Sequence, residues 1–80
     1  MELSEVQRRI LDILAEKSLH SVKTSVLDTA IVAASSLPGE EVNTYLSQLE
    51  SLGLVKLGIK VNGADFRLVN ITEKGLEVTS

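Results

Sequence analysis

The residues best equipped for chemistry gather in one stretch, PGEEVNTYLSQLESLGLV, at positions 38–55. At helical spacing this stretch puts Glu40, Asn43, Thr44, Ser47 and Ser51 on one side, with Gln48 and Glu50 at its edges. These are short groups that donate and accept hydrogen bonds. They suit recognition of another hydrogen-bonding surface rather than bond making or breaking. A Ser/His/Asp or Cys/His set would have to be built around His20, the one histidine of a chain without cysteine. No glycine-rich loop follows a strand and opens a helix, and Asn62-Gly63 is turn chemistry rather than a phosphate loop. The carboxylates are scattered over helix faces, where solvation accounts for them. No enzyme is expected. Disulfides and thiolate metal sites are excluded, a lone histidine makes no metal centre, and no cofactor is implied.

Charge limits what that polar side can meet. Between Pro38 and Val55 there is no Lys or Arg, and there are three glutamates. The net charge of −3 is unevenly spread: residues 1–54 carry four basic against eight acidic side chains, residues 55–80 four basic against three. The basic balance therefore sits in the C-terminal third. The 80 residues fit one small domain, 1–80, and 44% hydrophobic content supplies a core for it. No apolar run approaches the roughly 20 residues that span a bilayer. MELSEVQRR opens with acids instead of the apolar segment of a signal peptide. A cytoplasmic location is expected.

The elements that must position these groups follow from capping and periodicity. Ser4-Glu5-Val6-Gln7 is a capping box, and Val6, Ile10, Ile13 and Leu14 recur at helical spacing, so a first helix is expected over Ser4–Lys17. Ser21-Val22-Lys23 has the composition of a short strand, and His20 reads as a surface loop residue. Thr24 or Ser25 is expected to cap a second helix, with Asp28 in its first turn. Leu27, Ala30, Ile31 and Ala34 would share its inner face, with Val26 and Ala33 at the edge and Val32 pointing away. This helix is nearly free of charge, which suits either core on both faces or an oligomer contact, and the outward Val32 favours the contact.

Ser35 to Gly39 reads as a turn. Pro38 suits the start of a third helix, whose first turn holds Glu40 and Glu41. Its apolar stripe is Val42, Tyr45, Leu46, Leu49 and Leu52, with Tyr45 at the rim of the core. Gly53 can take the left-handed position that ends it. Ile10, Leu14, Leu46 and Leu49 are expected to share one core. LVKLGIKV then alternates Val55, Leu57, Ile59 and Val61 with Lys56, Gly58 and Lys60, the period of a strand. NGAD supplies a hairpin turn. FRLVNI returns as a second strand whose inward face is ambiguous, and Thr72-Glu73-Lys74-Gly75 reads as a turn or a short last helix.

Helix, short strand, helix, turn, helix and β-hairpin, in that order, resembles the α+β winged helix-turn-helix regulators of bacteria and archaea, the broad MarR- and ArsR-like group. LSQLESLGLV, at the exit of the third helix, and NITEKGLEV, closing the wing, carry the resemblance. It implies that the third helix lies in the major groove of double-stranded DNA. Asn43, Thr44, Ser47 and Gln48 would then reach base edges. Asn43 or Gln48 would pair with adenine, Thr44 would contact a thymine methyl, and a glutamate would accept from cytosine N4. Phosphate contacts would come from Lys23 and from Lys56, Lys60 and Arg67 on the wing. So thin a set of cations favours a homodimer, which doubles it. The same fold also serves in protein docking, and the acids of the third helix suit a basic protein partner instead.

Overall fold

The computed structural model describes residues 2–58 and 66–79. Helix α1 runs over Glu5–Lys17, strand β1 over Val26–Leu27, helix α2 over Asp28–Ser35 and helix α3 over Gly39–Ser51. Strand β2 (Val55–Leu57), strand β3 (Leu68–Ile71) and helix α4 (Glu73–Thr79) follow. The strands form an antiparallel sheet in the order β1-β3-β2, with Val26 opposite Val69 and Val55 opposite Ile71. This is an α+β winged-helix architecture. The strand expected over residues 54–61 is described only as far as Gly58. Lys60 and the Asn62-Gly63 turn lie outside the described residues.

Helix α1 starts as its sequence dictates. Ser4 Oγ accepts from the Gln7 amide at 3.2 Å, and Gln7 Oε1 accepts from the Ser4 amide at 2.9 Å. At its end, Leu19 takes the left-handed conformation that more often falls to glycine, with φ 57°. The amides of Leu19 and His20 close onto the carbonyls of Glu16 and Ala15. Helix α3 ends the same way, with Gly53 at φ 77° and the amides of Gly53 and Leu54 on the carbonyls of Glu50 and Leu49.

The segment between α1 and α3 departs from expectation. Ser21-Val22-Lys23 is not a strand: the Thr24 amide donates to the Ser21 carbonyl and the Lys23 amide to Ser21 Oγ, which curls it into a turn. The first strand is Val26–Leu27, fixed by pairing with Val69 and Leu68. Neither Thr24 nor Ser25 caps α2. Leu27 holds the cap position without a side-chain bond, and the Ser25 hydroxyl donates to Asn70 Oδ1 instead. The inner face of α2 is Asp28, Ile31 and Ser35, while Leu27 and Ala34 are exposed. Val32, expected to point away, is half-buried against the core.

Asp28 explains the difference. It is only 6% exposed. Its Oδ1 accepts from the Arg67 amide at 3.1 Å, and its own amide donates to the Arg67 carbonyl at 3.0 Å. This two-way bond to β3's approach rotates the helix so that its acid faces inward.

Ile10, Leu14, Leu46 and Leu49 share one core, as expected, with Leu11, Ile31, Val42, Leu54, Val69 and Ile71 around them. The ambiguity over the returning strand is settled: Val69 and Ile71 face the core, and Phe66 and Leu68 are exposed. Thr72 to Gly75 opens α4, and its first turn is fastened to the end of α3. Thr72 Oγ1 donates to the Gly53 carbonyl at 2.7 Å and accepts from the Gly75 amide at 3.1 Å. Lys74 Nζ donates to the Leu52 carbonyl at 3.2 Å. Gly75 lies so close to this junction that a Cβ there would collide with the Leu54 carbonyl oxygen and stand 2.8 Å from Ile71 Cγ1.

Two glycines in helices should respond oppositely to alanine. Gly75→Ala, normally favoured in a helix, should cost about 1–3 kcal/mol through overpacking. Gly39→Ala, whose Cβ would meet only Val32 Cγ2 at 4.0 Å, should gain about 0.4–1 kcal/mol. Leu49→Ala should cost about 2–5 kcal/mol. Urea unfolding of the three variants measures each, and equal effects for both glycines would refute the junction described.

Candidate nucleic-acid interface

Helix α3 is held on both flanks before any partner arrives. On the α1 side, Gln7 Nε2 donates to Gln48 Oε1 at 2.8 Å. Gln7 thus completes the cap of α1 with its oxygen and grips α3 with its nitrogen. On the sheet side, Glu50 Oε2 accepts from the Leu57 amide at 2.9 Å. Gly58 donates across to Leu68, so the neighbouring Leu57 amide points to the free edge of β2. Glu50 therefore caps an edge donor and ties α3 to the wing strand in one bond.

These two bonds sort the residues expected to read bases. Asn43, Thr44, Ser47 and Gln48 are all exposed. Gln48 has its oxygen committed to Gln7. Thr44 donates its hydroxyl hydrogen to the Glu40 carbonyl at 3.0 Å and keeps its oxygen as an acceptor. Ser51 likewise donates to the Ser47 carbonyl at 3.1 Å. Asn43, Ser47, Glu40 and Glu41 keep their side chains uncommitted among the described residues. The sequence could not reveal the commitments of Gln48 and Glu50, because each partner belongs to another element.

Among the described residues the candidate phosphate cations fall at two places. Asn70 Nδ2 donates to the Val22 carbonyl, next to Lys23, and Asn70 is the cross-strand partner of Lys56. Val22, Lys56 and Asn70 line a common hollow on the sheet. Lys23 and Lys56, both exposed, therefore flank Asn70. Arg67 lies about 10 Å further back along β3. It is half-buried, with its backbone on Asp28, and its Nε is buried without a hydrogen-bond partner. Lys60 lies outside the described residues. Two further cations serve the fold: Lys74 binds the α3 exit, and an Arg8 guanidinium nitrogen donates to the Val78 carbonyl at 3.2 Å.

Near α3, Glu40, Glu41, Thr44, Tyr45 and Gln48 line a shallow cleft. Tyr45 is half-buried, at the rim as expected, and His20 is exposed. Among the described residues no group of three or more His, Cys, Asp or Glu side chains is placed to hold a metal ion, and no helix is long and apolar enough to cross a membrane.

This architecture is a winged helix. No family model and no curated protein matches the sequence itself. Solved structures do match. The zinc-responsive MarR family member ZitR of Lactococcus lactis superposes with a TM-score of 0.77 at 24% identity, over 99% of this chain and 50% of its own. A putative DNA-binding protein from Ralstonia eutropha JMP134 gives 0.79 at 20% identity, over 98% of this chain and 94% of its own. MepR of S. aureus, in its DNA-binding conformation, gives 0.79 at 17% identity, over 98% and 54%. The chain thus spans about half the length of two of these three.

The Gln7–Gln48 clamp is open to direct measurement. In a double-mutant cycle, Gln7→Ala and Gln48→Ala should couple by about 0.5–1.5 kcal/mol, the net worth of one hydrogen bond. Gln7→Ala should also lose the return bond from the Ser4 amide, while the Ser4 hydroxyl keeps the backbone amide of residue 7, so it should be the more damaging single change. Strictly additive effects would mean that the two amides do not hold each other in solution.

Proposed function

We propose that the protein is a small winged-helix transcription regulator, acting in the cytoplasm as a homodimer and binding double-stranded DNA through α3. One observation carries the reading. The outward face of α3 offers Glu40, Asn43 and Ser47 uncommitted, on a helix braced at both flanks by Gln7 and by the edge of β2. A braced helix loses little further freedom on docking, which favours binding. Asn43, Ser47 and the Thr44 oxygen are assigned to base edges, and Gln48 contributes its remaining amide hydrogens. Lys56, Lys60, Lys23 and Arg67 are assigned to phosphates. The likeness to DNA-binding winged-helix proteins supports this assignment.

The acids of α3 set the terms. With so few free cations one copy binds weakly, and a dimer doubles the phosphate contacts. Exposed apolar groups outside the core, among them Leu27, Phe66 and Leu68, give a second copy something to cover.

A second reading rests on the cleft of Glu40, Glu41, Thr44, Tyr45 and Gln48. Two carboxylates beside an aromatic ring suit a Lys or Arg side chain of a basic protein partner.

Duplex binding at about 50 mM and 200 mM salt separates the readings. On the DNA reading, Lys56→Glu and Lys60→Glu each weaken all duplexes alike and flatten the salt slope by about one counterion per binding copy. Asn43→Ala costs about 1–3 kcal/mol on a preferred site and little on random DNA. Sedimentation over micromolar concentrations should show the mass doubling. No duplex binding at tens of micromolar protein in low salt would end the DNA reading. Loss of a basic partner on joint Glu40→Lys and Glu41→Lys substitution would then favour docking.

A further inference from the structure

We propose that Glu40 fixes the base preference of α3, its carboxylate accepting a hydrogen bond from the N4 amino group of a cytosine. The assignment rests on the DNA reading above and deepens it.

Three glutamates lie between Pro38 and Val55, and the structure separates them. Glu50 is committed to the Leu57 amide at the sheet edge. Glu41 lies about 100° around the helix from Glu40, on the flank of Tyr45 and Gln48, where Gln48 meets α1. Glu40 alone stands in line with Thr44, Ser47 and Ser51, opposite the buried Val42, Leu46 and Leu49. It also sits in the first turn of α3, the part of a recognition helix that meets base edges.

At Glu40 and Thr44 this face presents acceptors. Glu40 offers only acceptor oxygens when ionised. Thr44 has given its hydrogen to the Glu40 carbonyl and offers only an oxygen. No Lys or Arg stands on the helix. In the major groove guanine presents O6 and N7, both acceptors, and the usual reader of that pair is a bidentate Arg or a Lys. A carboxylate facing it meets repulsion. Cytosine presents a donor, N4, with the C5–H edge beside it rather than another acceptor. Adenine also has a donor, N6, but N7 lies next to it, and that pair matches an amide such as Asn43 better than a carboxylate. Glu40 thus penalises most sequences and is compensated on those that place cytosine before it.

Site selection from random duplexes at low salt, with wild type, Glu40→Gln and Glu40→Ala, tests the proposal. All three should stay folded, the two variants melting only slightly lower for want of a negative charge at the helix start, since Glu40 is exposed and bonds only through its backbone. Wild type should enrich cytosine at one position of the site. Replacing that cytosine by thymine, or by N4-methylcytosine where the remaining hydrogen is turned away, should weaken binding about 5- to 150-fold, the range of one good base contact. Glu40→Gln should move the preference at that position to adenine, which an amide reads. Glu40→Ala should erase it while strengthening binding to random duplex. Enrichment of an A·T pair there, binding without preference, or an unchanged preference in Glu40→Ala would overturn the assignment and leave DNA binding intact. Failure of wild type to bind any duplex would overturn the DNA reading, and this assignment with it.

Discussion

The placement of α3 depends on the contact between the end of that helix and the start of α4. Gly53 turns the chain through a left-handed conformation, Thr72 bridges the Gly53 carbonyl and the Gly75 amide, and Gly75 approaches the Leu54 carbonyl closer than any side chain allows. Four carbonyls at a helix end have no partner within the helix. Here Leu49 and Glu50 are satisfied by the turning chain, and Leu52 by Lys74. Lys74 also brings a positive charge to the negative end of the helix. The Thr72 amide donates to the Leu54 carbonyl, so β3 is anchored at the same place. Helix, sheet and last helix meet at one point, and the angle at which α3 stands out from the domain is set there.

That junction leaves the outer face of α3 with little structural work to do. Its flanks are tied by Gln48 and Glu50, its inner face is buried, and what remains outward is short and polar. The face is unusual for a nucleic-acid reader because its charge is negative. Base contacts and phosphate contacts are separable tasks. The cations around Asn70 lie on the sheet, with Lys56 next to the Leu57 that Glu50 holds, and Arg67 lies near the start of α2. On the proposed DNA reading, an acidic helix trades affinity for discrimination, since repulsion acts on every duplex and compensation only on some.

Asp28 shows how a single buried acid can set an orientation. The sequence around it is apolar enough to pack either way. Turning the carboxylate inward to the Arg67 amide satisfies a donor at the edge of β3 and places negative charge at the start of α2. The neighbouring apolar side chains, Leu27 and Ala34, are exposed as a result. A polar bond of this kind costs more to leave unmade than a methyl group costs to expose.

Local chemistry determined much of this protein by itself. The Ser4–Gln7 box, the stripe from Val42 to Leu52 and the stop at Gly53 are legible in sequence because each involves residues within a few turns of one another. The winged order and the shared core of Ile10, Leu14, Leu46 and Leu49 follow from those elements. Tertiary structure decided the rest. A strand of two residues has no periodicity to read, so Val26–Leu27 became a strand only through Val69 and Leu68. The inner face of α2 was set by a bond to Arg67, and the inward face of β3 by which of its two apolar pairs met the helices. Which polar groups of α3 stay open was decided by Gln7 and Leu57. The first is 41 positions from its partner and the second belongs to another element. Sequence spacing records what a residue meets along its own helix or strand, and these outcomes depend on what the folded chain brings across from another.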